Sequence, residues 1–168
     1  IGLTGDASIS AAGGAVTLLA GKDGISNNAG SGTVTAATLR LKSAGDVALT
    51  GPNQVGSVAG TVTNGSFTYK NVATGGLTIG LFGEPNGVFA SGAIDIQSDA
   101  GPLSVNSPIN TASSLKLKTS NGDISQTANM VVGGSSIVDA GSGNVTLMNA
   151  GNDFNDILLT AGNMSVKD

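Results

Sequence analysis

Residues 94–124 read IDIQSDAGPLSVNSPINTASSLKLKTSNGDI, and they contain the clearest short repeat of the chain. Apolar and polar residues alternate in it, as in a β-strand that buries one of its two faces. Leu115 follows Ile94 by 21 residues, Ile124 follows Leu103 by the same number, and Met164 follows Val145 by 19. A strand–corner–strand pattern therefore returns at a nearly fixed interval, which is typical of a solenoid.

The same alternation runs along the rest of the chain. It is found in Val16-Thr17-Leu18, Leu39-Arg40-Leu41, Val47-Ala48-Leu49, Leu77-Thr78-Ile79, Val145-Thr146-Leu147 and Met164-Ser165-Val166. A breaker with Gly, Asn or Ser-Ala-Gly interrupts nearly every window of ten residues. Because Gly is costly inside a helix and permits the positive φ of tight corners, the pattern predicts short strands without helices.

The sequence also contains a longer repeat, of 98 or 99 residues, in addition to the short one of about 21 residues. Val47 returns as Val145 after 98 residues, and Ile25 returns as Ile124 after 99. The same spacing relates Val16 to Leu115, Leu18 to Leu117, Leu49 to Leu147, and Asn53-Gln54-Val55 to Asn152-Asp153-Phe154. We interpret 1–168 as a single β-helix segment, part of a longer repeat protein. It would hold one long unit over about 1–99 and a partial second unit over about 100–168.

Together these features predict an all-β protein, a right-handed parallel β-helix with coils of roughly 19–22 residues. Each coil would supply two or three short strands and stack on the next coil at about 4.8 Å. A leucine-rich repeat would need a regular frame of leucines and asparagines, which the sequence does not show. A propeller blade is about twice as long as the short repeat.

Composition narrows the function. The net charge is −4, and the seven basic residues are scattered from Lys22 to Lys167. Nucleic-acid binding needs clustered Lys and Arg, so this class of partner is excluded. No apolar run approaches the roughly 20 residues of a membrane helix. Aromatic residues make up 3% of the chain, so the core must be built from Val, Ile, Leu and Ala.

Four of the five aromatic residues fall in one stretch and are the predicted contact residues: Phe67, Tyr69, Phe82 and Phe89. On an outer face they would form a patch for a receptor or for stacking against a sugar. The interpretation we favour is that the rings lie in the core or under a loop, since aromatic residues are usually buried. The coil pattern is least clear over 67–89, which suggests a small protruding loop.

Groups that could carry out chemistry are few. Five aspartates fall near corners, where carboxylates commonly accept bonds from turn N–H groups: Asp46, Asp95, Asp99, Asp123 and Asp139. Arg40 is the one arginine, and no His is present to act as a base. Residues 151–158 resemble half of a calcium-binding nonapeptide coil, but such coils need tandem copies. We therefore predict no catalytic residue, no cofactor and no metal site.

The corner motifs resemble the repeat region of filamentous haemagglutinin-like adhesins, the large exoproteins of two-partner secretion in Gram-negative bacteria. The resemblance is carried by Gly45-Asp46-Val47-Ala48-Leu49, Gly122-Asp123-Ile124-Ser125 and Asn149-Ala150-Gly151-Asn152-Asp153-Phe154. It implies a β-helical shaft exported unfolded through an outer-membrane transporter and displayed at the cell surface. A role in cell adhesion and virulence, with a receptor or glycan on a host or neighbouring cell as partner, follows from the same resemblance.

The function expected from the sequence is a structural or adhesive shaft segment of a secreted bacterial surface adhesin, without catalysis. A polysaccharide lyase or hydrolase on the same fold is one alternative, and it would need an acidic cleft with a base. A self-assembling extracellular fibre is another, since strand ladders at the ends of a solenoid can associate end to end with a second copy.

Overall fold

The computed structural model describes residues 1–27, 31–80, 83–84 and 86–168. These residues form strands and turns but no helix. The described part of the chain therefore contains no helix that could cross a membrane. The strands are β1 (Gly2–Leu3), β2 (Ser8–Ala20), β3 (Ile25–Asn27), β4 (Thr33–Ser43), β5 (Val47–Val62), β6 (Phe67–Asn71), β7 (Leu77–Ile79), β8 (Val88–Ala90), β9 (Ile94–Ser98), β10 (Leu103–Val105), β11 (Ile109–Thr111), β12 (Leu115–Thr119), β13 (Ile124–Gln126), β14 (Met130–Asp139), β15 (Val145–Leu147), β16 (Asp153–Thr160) and β17 (Met164–Val166).

The strands pair in parallel throughout the described chain, each with a strand one coil earlier or later. The coils stack as a β-solenoid of about 8 turns. The predicted parallel β-helix is therefore confirmed. Three registers expected from the sequence are also found, because Leu103 pairs with Ile124, Ile94 with Leu115, and Val145 with Met164.

Three faces surround the core, and each is defined by a file of residues paired from coil to coil. Face 1 contains Ile25, Val47, Phe67, Ile94, Leu115, Ser136 and Ile157. Face 2 contains Leu77, Leu103, Ile124, Val145 and Met164. Face 3 contains Leu41, Gly60, Val88, Ile109 and Met130. Inward and outward residues alternate along every face, as the pleat of a strand requires.

Coil length departs from the prediction in two places. Gly2 pairs with Ser26, which is 24 residues later, and Phe67 pairs with Ile94, which is 27 residues later. In the second case the extra residues lie between β7 and β8, where 80–87 separate strands that are close together in the next coil. The range of 19–22 residues is therefore too narrow, because a corner can lengthen without disturbing the stacked strands on either side.

The described core contains three aromatic rings, those of Phe67, Tyr69 and Phe154. Phe67 and Tyr69 point inward from β6 and are 0% and 1% exposed, with ring centroids 6.4 Å apart. Gly60 on face 3 leaves the space that the Phe67 ring occupies. A Cβ atom at Gly60 would stand 2.6 Å from Cε2 of Phe67, closer than real contacts allow. The core thus accepts the Phe67 ring because Gly60, across the core, has no side chain.

We expect Gly60→Ala to lower the free energy of unfolding by about 2 kcal/mol, because the new methyl group overpacks the core against Phe67. Adding Phe67→Leu should recover part of that loss, so the double variant should be more stable than the sum of the two single changes predicts. Denaturant melts of the four proteins measure this coupling. Gly75→Ala is the control, since a Cβ atom there meets nothing within 4 Å. If the stability changes of the two single variants simply add in the double variant, Gly60 does not make room for the Phe67 ring.

Burial also governs the Tyr69 phenol. Desolvation raises its pKa well above the usual value, and its hydroxyl donates to Asn71 Oδ1 at 3.4 Å. The unfolded chain would ionise this group near its ordinary pKa of about 10. The stability it contributes is therefore present below about pH 10 and declines above it, by about 1.4 kcal/mol per pH unit.

Tyr69 is the single tyrosine of the chain, and Trp is absent. We expect the tyrosinate absorbance to appear together with the loss of β-structure during an alkaline titration, and not before it. The alkaline slope of stability should be absent in Tyr69→Phe. Phenolate formation in a chain that still shows native circular dichroism would contradict the buried position.

Candidate functional site

The predicted aromatic contact patch does not exist as one surface. Phe67 and Tyr69 are buried in the core, so no partner at the surface can reach them. For these two residues the contact role is wrong, and the expected position in the core is confirmed. Phe89 lies half-buried on the outer side of β8, and its role as a contact stays a prediction. Phe82 lies outside the described residues. Sequence could not separate these positions, because the inward or outward side of β6 depends on its register.

The corner aspartates act within the fold. Asp46 Oδ1 accepts from the Ser66 backbone N–H at 2.8 Å, and Asp123 Oδ1 accepts from the Asn144 backbone N–H at 2.8 Å. The acceptor and donor in each pair belong to neighbouring coils. These two carboxylates therefore tie one corner to the next, which is the structural role expected of Asp at turns. In the described part of the chain no three metal-binding side chains cluster together.

Outer face 1 holds the remaining three of these aspartates in a patch of alternating charge. The ion pairs are Lys70 with Asp99 at 2.9 Å, Lys116 with Asp95 at 3.3 Å, and Lys118 with Asp139 at 3.9 Å. Partial burial opposes ionisation of Asp99, but hydrogen bonds from Lys70 and Gln97 and the nearby lysine charges hold the pKa of its carboxyl below the usual value. Each carboxylate of the patch thus has a cationic neighbour, an arrangement that suits cross-coil stabilisation.

A set of buried amides was not predicted as a group. Asn53 is fully buried, and its Oδ1 accepts from the Val34 backbone N–H at 2.9 Å and from Asn27 Nδ2 at 3.1 Å. Its Nδ2 donates to the carbonyl oxygens of Leu49 and Lys70, both at 3.0 Å. Asn53 therefore satisfies backbone groups in three successive coils at a corner where the strands cannot do so themselves.

Asn152 repeats this arrangement almost bond for bond. Its Oδ1 accepts from the Met130 backbone N–H at 3.1 Å and from Gln126 Nε2 at 2.8 Å. Its Nδ2 donates to the carbonyl oxygens of Leu147 at 3.3 Å and Lys167 at 2.9 Å. Each of these partners lies 96–99 residues after its counterpart at Asn53, as the long sequence repeat implies.

The two corners lie on different faces of the solenoid. Val47, at the start of the first corner, pairs with Phe67 on face 1. Val145, its counterpart at the second corner, pairs with Ile124 on face 2. Four coils separate Val47 from Ser136 on face 1, and Val145 lies one face beyond Ser136. The long unit therefore advances by four turns and one third of a turn.

The outer side of face 2 carries an unbroken file of hydroxyl groups. Its members pair with one another from coil to coil and are Thr38, Ser57, Thr78, Ser104, Ser125, Thr146 and Ser165. Five of them are half-buried, and Thr146 and Ser165 are exposed. We call these seven residues the hydroxyl file. At a coil spacing of about 4.8 Å it extends for about 30 Å along the axis.

The first part of the hydroxyl file forms the floor of a cavity of about 420 Å³. Its lining is Thr38, Ser57, Thr78, Gly80, Asn86, Asn106 and Ser107. Asn86 forms part of the wall, and its Oδ1 accepts from Ser107 Oγ at 2.6 Å. Ser57 Oγ donates to the Gly80 carbonyl at 2.9 Å. We call this the face 2 cavity. Its described lining contains hydroxyl and amide groups and no charged side chain.

A comparison with known proteins adds one finding. Residues 89–161 match a family described as repeats of unknown function (DUF5649). The match covers less than half of the chain and begins within β8. No curated protein and no solved structure matches the chain.

We expect Asn53→Ala to lower the free energy of unfolding by about 3 kcal/mol, because it leaves several buried backbone groups without partners. Asn110 on β11 is exposed, and Asn110→Ala is the matched control, with an expected change within about 0.5 kcal/mol. Urea unfolding followed by circular dichroism measures both. Equal effects at the two positions would show that the buried amide does not hold the corner.

Proposed function

We propose that this chain is a shaft segment of a secreted bacterial surface adhesin, a stiff spacer that holds binding regions away from the cell and carries out no catalysis. The observation that carries the proposal is the continuous stack of about 8 turns around one aliphatic core. Backbone ladders and paired files connect every coil to its neighbours, so bending the rod would break many bonds together. At about 4.8 Å per coil, the stack spans about 40 Å.

The polar side chains support this role. The corner aspartates hold backbone N–H groups of the next coil, and those of face 1 form ion pairs with Lys70, Lys116 and Lys118. These bonds join coil to coil along the axis. Display at the surface of a Gram-negative bacterium, export through an outer-membrane transporter and a receptor or glycan partner rest on the resemblance of the corner motifs to haemagglutinin-like repeats.

The shaft proposal can be tested by deleting one whole coil, because each coil contacts only its neighbours. Deleting residues 94–114 removes one coil and brings Leu115 onto Phe67, Ile124 onto Leu77, and Met130 onto Val88, all of them inward positions. We expect the shortened chain to fold with unchanged strand content and to be about 5 Å shorter by small-angle X-ray scattering. The ion pairs that are lost are partly exposed and contribute little.

A matched control deletes residues 94–104, about half a coil. This change moves every later strand to a wrong face, so we expect loss of the cooperative melt. If removal of the whole coil unfolds the chain as severely as removal of the half coil, the modular shaft is wrong.

A further inference from the structure

We propose that the face 2 cavity and the hydroxyl file that continues from it bind an extended, uncharged polysaccharide along the axis of the solenoid. The inference deepens the proposed adhesive role, on which it rests, by assigning a place and a ligand class. It differs from the aromatic patch expected from the sequence, because it uses hydroxyl and amide groups on the outer side of face 2.

The chemistry of the lining selects the ligand. Hydroxyl and amide groups donate and accept hydrogen bonds, and so do the hydroxyl groups of a sugar. The described lining has no Lys or Arg that could pair with the carboxylate or sulfate groups of an acidic polysaccharide. A charged chain would lose its hydration here without gaining an ion pair, so the cavity favours a neutral one.

The shape selects a chain over a single sugar. The cavity volume of about 420 Å³ lies within the range of small-ligand sites. The paired hydroxyl groups continue past the cavity through Ser104 and Ser125 to Thr146 and Ser165. A second depression of about 440 Å³ is lined by the last three of these residues together with Asn144, Asn163 and Asp123. The Asp123 carboxylate would repel an acidic chain, so it also favours a neutral one. A polymer with regularly repeated hydroxyl groups can contact this whole path.

A peptide strand fits less well. The backbone N–H and C=O groups of face 2 are paired within the parallel ladder, as Leu103 with Leu77 and with Ile124 shows. Recognition of a peptide by strand addition needs a free sheet edge, whereas this surface presents the face of a sheet. The described side chains along the proposed path offer a ligand hydroxyl and amide groups and the Asp123 carboxylate.

The test is isothermal titration of the whole chain with cellohexaose, mannohexaose and a galactan hexamer, with hexagalacturonate as the acidic comparator. We expect at least one neutral hexamer to bind and the acidic one to bind more weakly. Thr38→Val and Thr78→Val each remove one hydroxyl group while keeping the shape of the side chain. Each should weaken binding about fivefold, and the two together more than tenfold.

Thr68→Val is the matched control, because Thr68 is also a half-buried outward threonine but lies on face 1. It should leave the affinity unchanged, and melting temperatures should show that all variants are folded. Binding of no neutral hexamer at millimolar concentration, equal loss with Thr68→Val, or preference for the acidic hexamer would overturn the proposal. The coil deletion tests the shaft proposal separately. A chain that shortens as expected but binds no sugar would contradict the polysaccharide proposal and leave the shaft proposal standing.

Discussion

Backbone hydrogen bonds between consecutive coils fix the register, and all other features of the molecule depend on that register. Because side chains alternate along a strand, a slip by one residue would turn every inward aliphatic group toward water. The parallel pairing of Ile94 with Leu115 and of Leu103 with Ile124 keeps inward residues over inward residues. The same pairing aligns outward residues, which produces both the ion pairs of face 1 and the hydroxyl file of face 2.

At the corners, side chains bond the backbone groups that the strand ladders leave without partners. At a corner the backbone groups turn away from the ladder, and buried side chains must take their place. Asn53 and Asn152 each donate to a carbonyl of their own coil, at Leu49 and Leu147, and to one of the next coil, at Lys70 and Lys167. Ser98 and Thr119 donate to the nearby carbonyls of Gly101 and Gly122. A corner whose described residues include no such side chain can vary in length, as residues 80–87 in the 27-residue coil after Phe67 show.

Sequence predicted the fold well, because inward residues alternate and recur at nearly equal intervals. It predicted the pairing of Val145 with Met164, and it located the lengthened coil as the stretch with the least regular pattern. It favoured an inward position for Phe67, but it did not show where the space for the ring comes from, because Gly60 lies on another face. It also missed the buried amides as a group, because Asn53, Asn71, Ser98 and Thr119 occupy one file with three different side chains. The hydroxyl file was visible as the middle residue of Leu77-Thr78-Ile79 and Met164-Ser165-Val166, but only coil-to-coil pairing shows that such residues align.

The offset of one third of a turn between the Asn53 and Asn152 corners has a consequence for any chain in which this unit recurs. Equivalent corners would wind around the rod like the treads of a spiral staircase and return to the same side after three units. A binding site present once per unit would then face three directions around the axis. Such a fibre could attach to a surface without first rotating about its axis.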